Sequence, residues 1–394
     1  MLPLKDVFVV DASQALAGPF ATQILGDLGA DVLKIETPET GDLTRLLPPK
    51  YGEMSAYFVS LNRNKESMTL DLSTDQGQEI LQTLVADEAD VFIQNFGPGA
   101  ASEMNIDYET LSEQSDNLIY CDISSYGKES PYSDRKAFDI VFQSQSGLMG
   151  VTGTEDGEPI RIGTSISDIA AAMTSTYAIL TALYHRSNTG EGQYIDVSLL
   201  DSSFQFLMYH VSNLFATGED PKPMGRKHWN VSPYGVFKTA DSYVALGVLN
   251  PEMWDGFCRA LDKPEWQNDE RFDDFYSRVE HRTVLDNLVE ERLADRTTDE
   301  WLDRLLENNV PASPVNSVSD IVNDPHVEAR DLLQTVEHPE KGEFTLIDNP
   351  VNFSTLEADI RSPPPDLGEH TAAILSELGY TAAEIETLQD RGII

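Results

Sequence analysis

The sequence predicts an α/β protein: a large domain on a parallel sheet covered by helices, and a smaller α+β domain further along the chain. Three observations predict it. Short Val- and Ile-rich runs alternate with helix-period segments over the first 200 residues. The texture then changes at a Gly- and Pro-bearing stretch, Phe215 to Gly235. The length, 394 residues, exceeds what one core supports, so two to three domains are expected.

Val7 to Ser13 (VFVVDAS) reads as a buried strand. Gly18 to Ala30 reads as a helix, with Pro19 pre-set for the first turn and Gly29 for the exit, and Asp31 to Glu36 (DVLKIE) as the next strand. The β-α-β pattern recurs with strand SMTLDL, helix DQGQEILQTLVADEA and strand DVFIQNF. It recurs again with helix YETLSEQSD and strand LIYCDISSYG. This implies a Rossmann-like layout, although the first turn lacks the Gly-x-Gly-x-x-Gly of nicotinamide enzymes. A long helix from Asp168 leads into a further strand and apolar helix, GEGQYIDVSLLDSSFQFLMYH. The expected divisions are a large domain over 1–200, a linker over 201–233, a small domain over 234–323 and a return linker over 324–334. The small domain holds a hairpin-like segment, YGVFKTADSYVALGV, and charged amphipathic helices. The end reads as a helix pair in which Thr381 and Glu384 have capping-box spacing.

Asp and Glu number 67 against 27 Lys and Arg, and the formal net charge of −40 is spread along the whole length. Such a field repels nucleic acid and anionic membranes. Screening at high salt relieves the self-repulsion, the Debye length being about 3 Å near 1 M. An intracellular protein of a high-salt organism is therefore expected. The 16 Phe and 14 Tyr exclude an acidic disordered chain. Cys121 and Cys258 lie far apart, which suggests neither a disulfide framework nor a zinc site and fits a reduced cytoplasm. The opening MLPLKDVFVVDASQ is unlike a signal peptide, and no stretch approaches the ~20 apolar residues of a spanning helix, so a soluble cytoplasmic chain is expected.

The segment RIGTSISDIAAAMTSTYAILTALYHR (Arg161 to Arg186) sets Asp168 at the mouth of an apolar helix. The simplest reading is a helix cap, or a charge favourable to the dipole. Ser165 or Ser167 can serve as the cap instead, the former through a Ser165-x-x-Asp168 box. That leaves Asp168 to face a cleft, kept ionised by the positive helix end. An ionised carboxylate can attack an acyl carbonyl. Scarce positive charge clusters at Arg63 and Lys65, at Arg135 and Lys136, and at Arg226, Lys227 and His228. Local ion pairs explain such clusters; so does a pocket for a polyanion. The turn NFGPG (Asn95 to Gly99) follows a strand, at the edge where α/β folds bind ligands. The seven His show no metal spacing. No nucleophile elbow or P-loop is present.

Together, QALAGPFATQILGDLGADVLKIE, GDLTR, LNRNKESMTLDL, NFGPG, RKAFDIVFQSQSG, GTSISDI, TGEGQYIDVSLLD and LGEHT resemble the family III coenzyme A transferases over nearly the whole chain and in the same order. The resemblance implies a large domain completed by residues 335–394 and a small domain between. It also implies ring-shaped subunits interlocked as a homodimer. It places the nucleophile at Asp168, with anhydride and enzyme-aspartyl-CoA thioester intermediates and no metal or redox cofactor. It places coenzyme A contacts at Ala15, Leu16, Leu61, Lys65, Asn95, Phe96 and Lys136. Leu16, Thr37 and Glu103 depart from the formyl-CoA transferase pattern, which has Gln, Arg and Arg there, so Arg45 or Arg226 is expected to supply a phosphate contact instead. The substrates implied are an acyl-CoA, with succinyl-CoA as donor, and a small dicarboxylate acceptor, with mesaconate foremost. The alternatives are intramolecular transfer between the two carboxyls of mesaconyl-CoA, and 2-methylacyl-CoA racemisation. The racemase branch has His where Phe138 stands, and a phenyl ring transfers no proton.

Overall fold

A computed structural model describes residues 2–394, which divide into two units. The first runs to Leu148 and takes in Ile162–Val211 and Pro325–Ile394; the second comprises Met149–Arg161 and Ser212–Asp324.

In the first unit, β1 (Phe8–Asp11), α1 (Ala17–Asp27), β2 (Asp31–Glu36), β3 (Lys65–Thr69), α2 (Asp75–Glu88), β4 (Val91–Gln94) and β5 (Ile119–Ser124) follow the predicted alternation. Then come α3 (Asp139–Gln145), α4 (Ile166–Thr189) and β6 (Gln193–Ser198). The six strands form one sheet in the order β3-β2-β1-β4-β5-β6, every pairing parallel. Both faces are buried, which is why the strands read as near-continuous apolar runs. Val10, Leu33, Met68 and Phe92 face one core, with Leu375 and Leu388 from the chain's end; Val9, Ile93 and Cys121 face the other, with Leu25 and Ala171.

The 24-residue α4 packs on α1, β5 and β6 through a small-residue face that includes Ala171, Ala172, Ser175 and Ala182. Contrary to the sequence expectation, its length and composition match those of a spanning helix. The burial of Ala171, Ala172 and Ile179 explains the apolar run as a core face.

The second unit carries β7 (Tyr234–Lys238), β8 (Tyr243–Gly247) and β9 (Ala312–Pro314) in an antiparallel sheet. Helices α5 (Pro251–Ala260), α6 (Arg282–Leu293) and α7 (Thr298–Glu307) pack around Trp254, Phe257, Phe272 and Trp301. The stretch read as a linker over 201–233 is helical as far as Thr217, in Leu199–Phe204 and Met208–Thr217, and the division between units falls inside the second of these helices. Residues 149–161, which the sequence reading left in the large domain, belong to the second unit. The return stretch 324–334 holds a short helix, Pro325–Ala329.

Back in the first unit, β10 (Leu333–His338) and β11 (Gly342–Ile347) form a hairpin, followed by α8 (Thr371–Glu377) and α9 (Ala382–Asp390). The Thr381 and Glu384 spacing forms its capping box at the start of α9.

Candidate active site

The strand order reverses between β1 and β4, so the loops leaving their carboxyl ends flank the crevice where open α/β sheets bind ligands. Those loops are tied together. Asn95 accepts from the Gln14 N–H at 2.8 Å and donates to the Gln14 carbonyl at 2.8 Å. Ala15 adopts φ 67°, a conformation that costs a residue with a Cβ. Its N–H is held by the Asp42 carboxylate at 3.2 Å. Asp42 pairs at 3.0 Å with the fully buried Lys34, which also donates to the Ser13 carbonyl at 2.7 Å. Alongside, Asp11 takes bonds from Ser13, from Thr22 at 2.6 Å and from Lys65 at 3.1 Å. Burial works against its charge, yet Lys65 and Lys34 hold its carboxyl well below the usual carboxylate range. At Gly18 a Cβ would lie 2.1 Å from Ser13 Oγ, so the turn into α1 requires glycine.

Helix α4 runs back between the parallel strands β5 and β6, which brings its first turn to that same edge of the sheet. Neither Ser165 nor Ser167 caps it through a side chain. The cap comes from Asp139 at the start of α3, whose Oδ1 accepts from the Ser167 N–H at 2.9 Å. Its Oδ2 accepts from Gln143 Nε2 at 2.7 Å. Gln143 is fully buried, donates to the Thr164 carbonyl at 3.1 Å and accepts from the Ile162 N–H at 2.8 Å, fastening the strap before α4 to α3.

Asp168 is left half-buried in the first turn, and among the described residues its carboxylate has neither a hydrogen bond nor an ion pair. Burial, and then the charge of Asp139, push it up to about 7. The expectation of a carboxylate kept ionised by the helix end is thereby corrected, because the negative charge that caps the helix also faces Asp168. The Tyr57 hydroxyl is raised by burial and by the fields of Asp168, Asp42 and Asp139, so a neutral phenol stands near the same carboxylate.

The expected coenzyme A contacts divide. Ala15 is exposed and Leu16 half-buried on the loop after β1; Asn95 and Phe96 lie half-buried after β4. Lys136 is exposed, with Cε 3.5 Å from a Cβ built on Gly97, so it stands over the NFGPG turn. It has no ion pair among the described residues, and its neighbour Arg135 stacks on Tyr132 at 4.1 Å. Leu61 is buried. Lys65 is a correction: its side chain is 0% exposed and its Nζ is shared among Asp11, the Pro19 carbonyl and Asn62, with none of its charge at the surface. Arg45 is another, paired with Glu36 by two bonds of 2.6 and 2.7 Å and stacked 3.6 Å over Phe58. Arg63 is spent on Asp27. Arg226 belongs to the second unit and pairs there with Glu290.

Sequence reasoning missed Asp139, Gln143 and Tyr57. The first two stand in the quoted segment RKAFDIVFQSQSG at i and i+4, a spacing that places them on one helix face. Tyr57 carried no such signal. The unpaired Asp168 carboxylate is placed for attack on an electrophilic carbonyl reaching the edge of the sheet. Phe138, 81% exposed beside Asp139, supplies no second proton carrier.

A family model described as CoA-transferase family III matches residues 4–371. A mouse (Mus musculus) succinyl-CoA:glutarate CoA-transferase is 37% identical over 396 residues, covering 100% of this chain and 91% of the mouse protein. A succinyl-CoA:mesaconate CoA-transferase of Haloarcula hispanica is 36% identical over 386 residues, covering 95% of this chain and 96% of its own. Among solved structures, a CAIB/BAIF family protein from Brucella suis superposes with a TM-score of 0.86 at 38% identity, covering 95% of this chain and 99% of that one.

Proposed function

The chain belongs to CoA-transferase family III, and from that premise we propose that it moves coenzyme A from succinyl-CoA to a small dicarboxylate, mesaconate or a C5 relative such as glutarate. The observation that carries this reading is the Asp168 carboxylate in the first turn of α4, at the carboxyl edge of the parallel sheet, with neither a hydrogen bond nor an ion pair among the described residues. Above about pH 7 this group is ionised.

In the proposed reaction an Asp168 oxygen attacks the thioester carbonyl, the C–S bond breaks and the thiolate leaves, giving a mixed anhydride. The thiolate then attacks the aspartyl carbonyl, releasing succinate and leaving an aspartyl-CoA thioester. The acceptor carboxylate attacks that thioester, giving a second anhydride and again the thiolate. Attack of the thiolate on the acceptor's acyl carbon restores the free Asp168 carboxylate. Asp139 and Gln143 hold the start of α4, and with it the attacking oxygen, in place. Lys136 and the loops after β1 and β4 receive the nucleotide portion.

The subunits are proposed to interlock as a homodimer, supported by large apolar side chains left in solvent, such as Tyr184 at 73% and Phe215 at 83%. A high-salt intracellular setting is proposed from the charge of −40. Incubation with succinyl-CoA and a panel of acids in molar KCl tests the reaction, with dicarboxylyl-CoA products expected. Label from free mesaconate entering the product separates this reading from intramolecular transfer. Hydroxylamine is expected to trap an acyl group on Asp168, and exchange that survives Asp168→Ala refutes the covalent route.

A further inference from the structure

The basic run Arg226-Lys227-His228 has no part in the Asp168 chemistry described above, yet its backbone is held in place. The Val236 N–H donates to the Arg226 carbonyl at 3.0 Å, and the His228 N–H to the Tyr234 carbonyl at 3.1 Å. Lys227 bridges Gly235 in antiparallel register, so the run lies beside β7 as a short added strand. The seam requires glycine, because a Cβ on Gly235 would sit 2.3 Å from the Arg226 carbonyl oxygen.

Beside this seam lies a cavity of about 660 Å³. Leu246, Leu249, Pro311 and Ala312 supply apolar wall; the three basic residues, with Tyr234 and Ser313, supply the polar groups. Among the described residues no Asp or Glu lines it. In a chain with 67 acidic residues this is unusual: the cleft beside β3 carries Glu66, Glu88 and Glu337, and the one at the NFGPG turn carries Asp107, Glu109 and Asp122.

Two carboxylates of α6 approach the cations. Glu290 pairs with Arg226, and Asp286 with Lys227 at 2.9 Å. Both cations remain partly open to solvent; Glu290 is partly exposed as well, so the Arg226 pair contributes little and exchanges readily with another carboxylate, whereas the buried Asp286 keeps Lys227 in place. Arg226 meets Glu290 through one terminal nitrogen, and among the described residues its remaining donors are uncommitted. A guanidinium edge of that kind matches a carboxylate through two parallel bonds.

We infer that Arg226 and Lys227, at the lip of this cavity in the second unit, form a binding site for a carboxylate of a small dicarboxylic acid, whose methylene chain lies against the apolar wall. The inference rests on the reading that the acids handled are dicarboxylates, and it gives that reading a source of selectivity.

The test uses the full-length protein in saturation-transfer NMR titrations with glutarate, with 1,5-pentanediol, which keeps the chain and lacks the carboxylates, and with adenosine 3′,5′-bisphosphate. No turnover is needed, so a lack of transfer activity with every acid counts against the proposed reaction alone. Glutarate is expected to bind about tenfold more tightly than 1,5-pentanediol, the loss expected when a charge-assisted hydrogen bond is removed. Arg226→Gln with Lys227→Gln is expected to abolish that difference. Leu249→Glu, at a side chain 53% exposed and tolerant of charge, is expected to weaken glutarate, whose carboxylate it repels, more than the uncharged 1,5-pentanediol. Equal binding of glutarate and 1,5-pentanediol by the unaltered protein, or a glutarate preference that Leu249→Glu leaves undiminished, overturns the inference. So does displacement of glutarate by adenosine 3′,5′-bisphosphate that Arg226→Gln relieves, which would assign the site to a phosphate.

Discussion

Replacing Asp168 by asparagine is expected to stabilise the protein, and only on the alkaline side. The native carboxyl is raised from 3.8 to about 7, first by burial and then by Asp139. Between about pH 4 and pH 7 the native state therefore keeps a proton that the unfolded chain has released, so the free energy of unfolding falls as pH rises through this window and is level above it. Carrying a carboxyl from 3.8 to about 7 corresponds to roughly 4 kcal/mol at 1.36 kcal/mol per pH unit. Asp168 is half-buried rather than sealed, so screening reduces this to about 2 to 4 kcal/mol. Asparagine keeps the shape and carries no charge. Its advantage should be near zero at pH 4 and reach that amount by pH 8. Denaturant titrations of both proteins in molar KCl at pH 4, 6 and 8 measure it. A difference that does not change with pH refutes the claim that Asp168 is held against its own ionisation.

The same placement predicts a transfer rate that rises with pH to a plateau, with a midpoint near 7. In Asp139→Asn the midpoint should move toward acid, since the second cause of the raised value is gone; a midpoint that stays put would falsify the proposed coupling. Lys136→Gln should raise KM for the acyl-CoA about 3- to 10-fold with kcat little changed, the mark of lost uniform binding, in steady-state kinetics. Gly18→Ala drives a Cβ to 2.1 Å from Ser13 Oγ. It should cost roughly 1–3 kcal/mol in thermal or denaturant unfolding and weaken acyl-CoA binding with it.

The alternation of strands and helices, the exit of α1 near Gly29, the capping box at Thr381 and the position of Asp168 in a first helical turn were all legible in the sequence. Each is decided by sterics and hydrogen bonds within a few residues, together with the period of the apolar positions. The fate of the charges was not legible. Lys65 looked available for a phosphate until β3 brought it against Asp11, 54 residues away, and Arg63 until it met Asp27, 36 residues away. The cap on α4 comes from Asp139, 28 residues upstream, so no local motif announced it or the raised Asp168 carboxyl that accompanies it. Charge pairing and proton affinity depend on distance through space and on removal from water, and those are properties of the folded chain. The sequence by itself determined which elements form and where Asp168 stands along them; the tertiary structure decided which cations remain free and how tightly that carboxyl holds its proton.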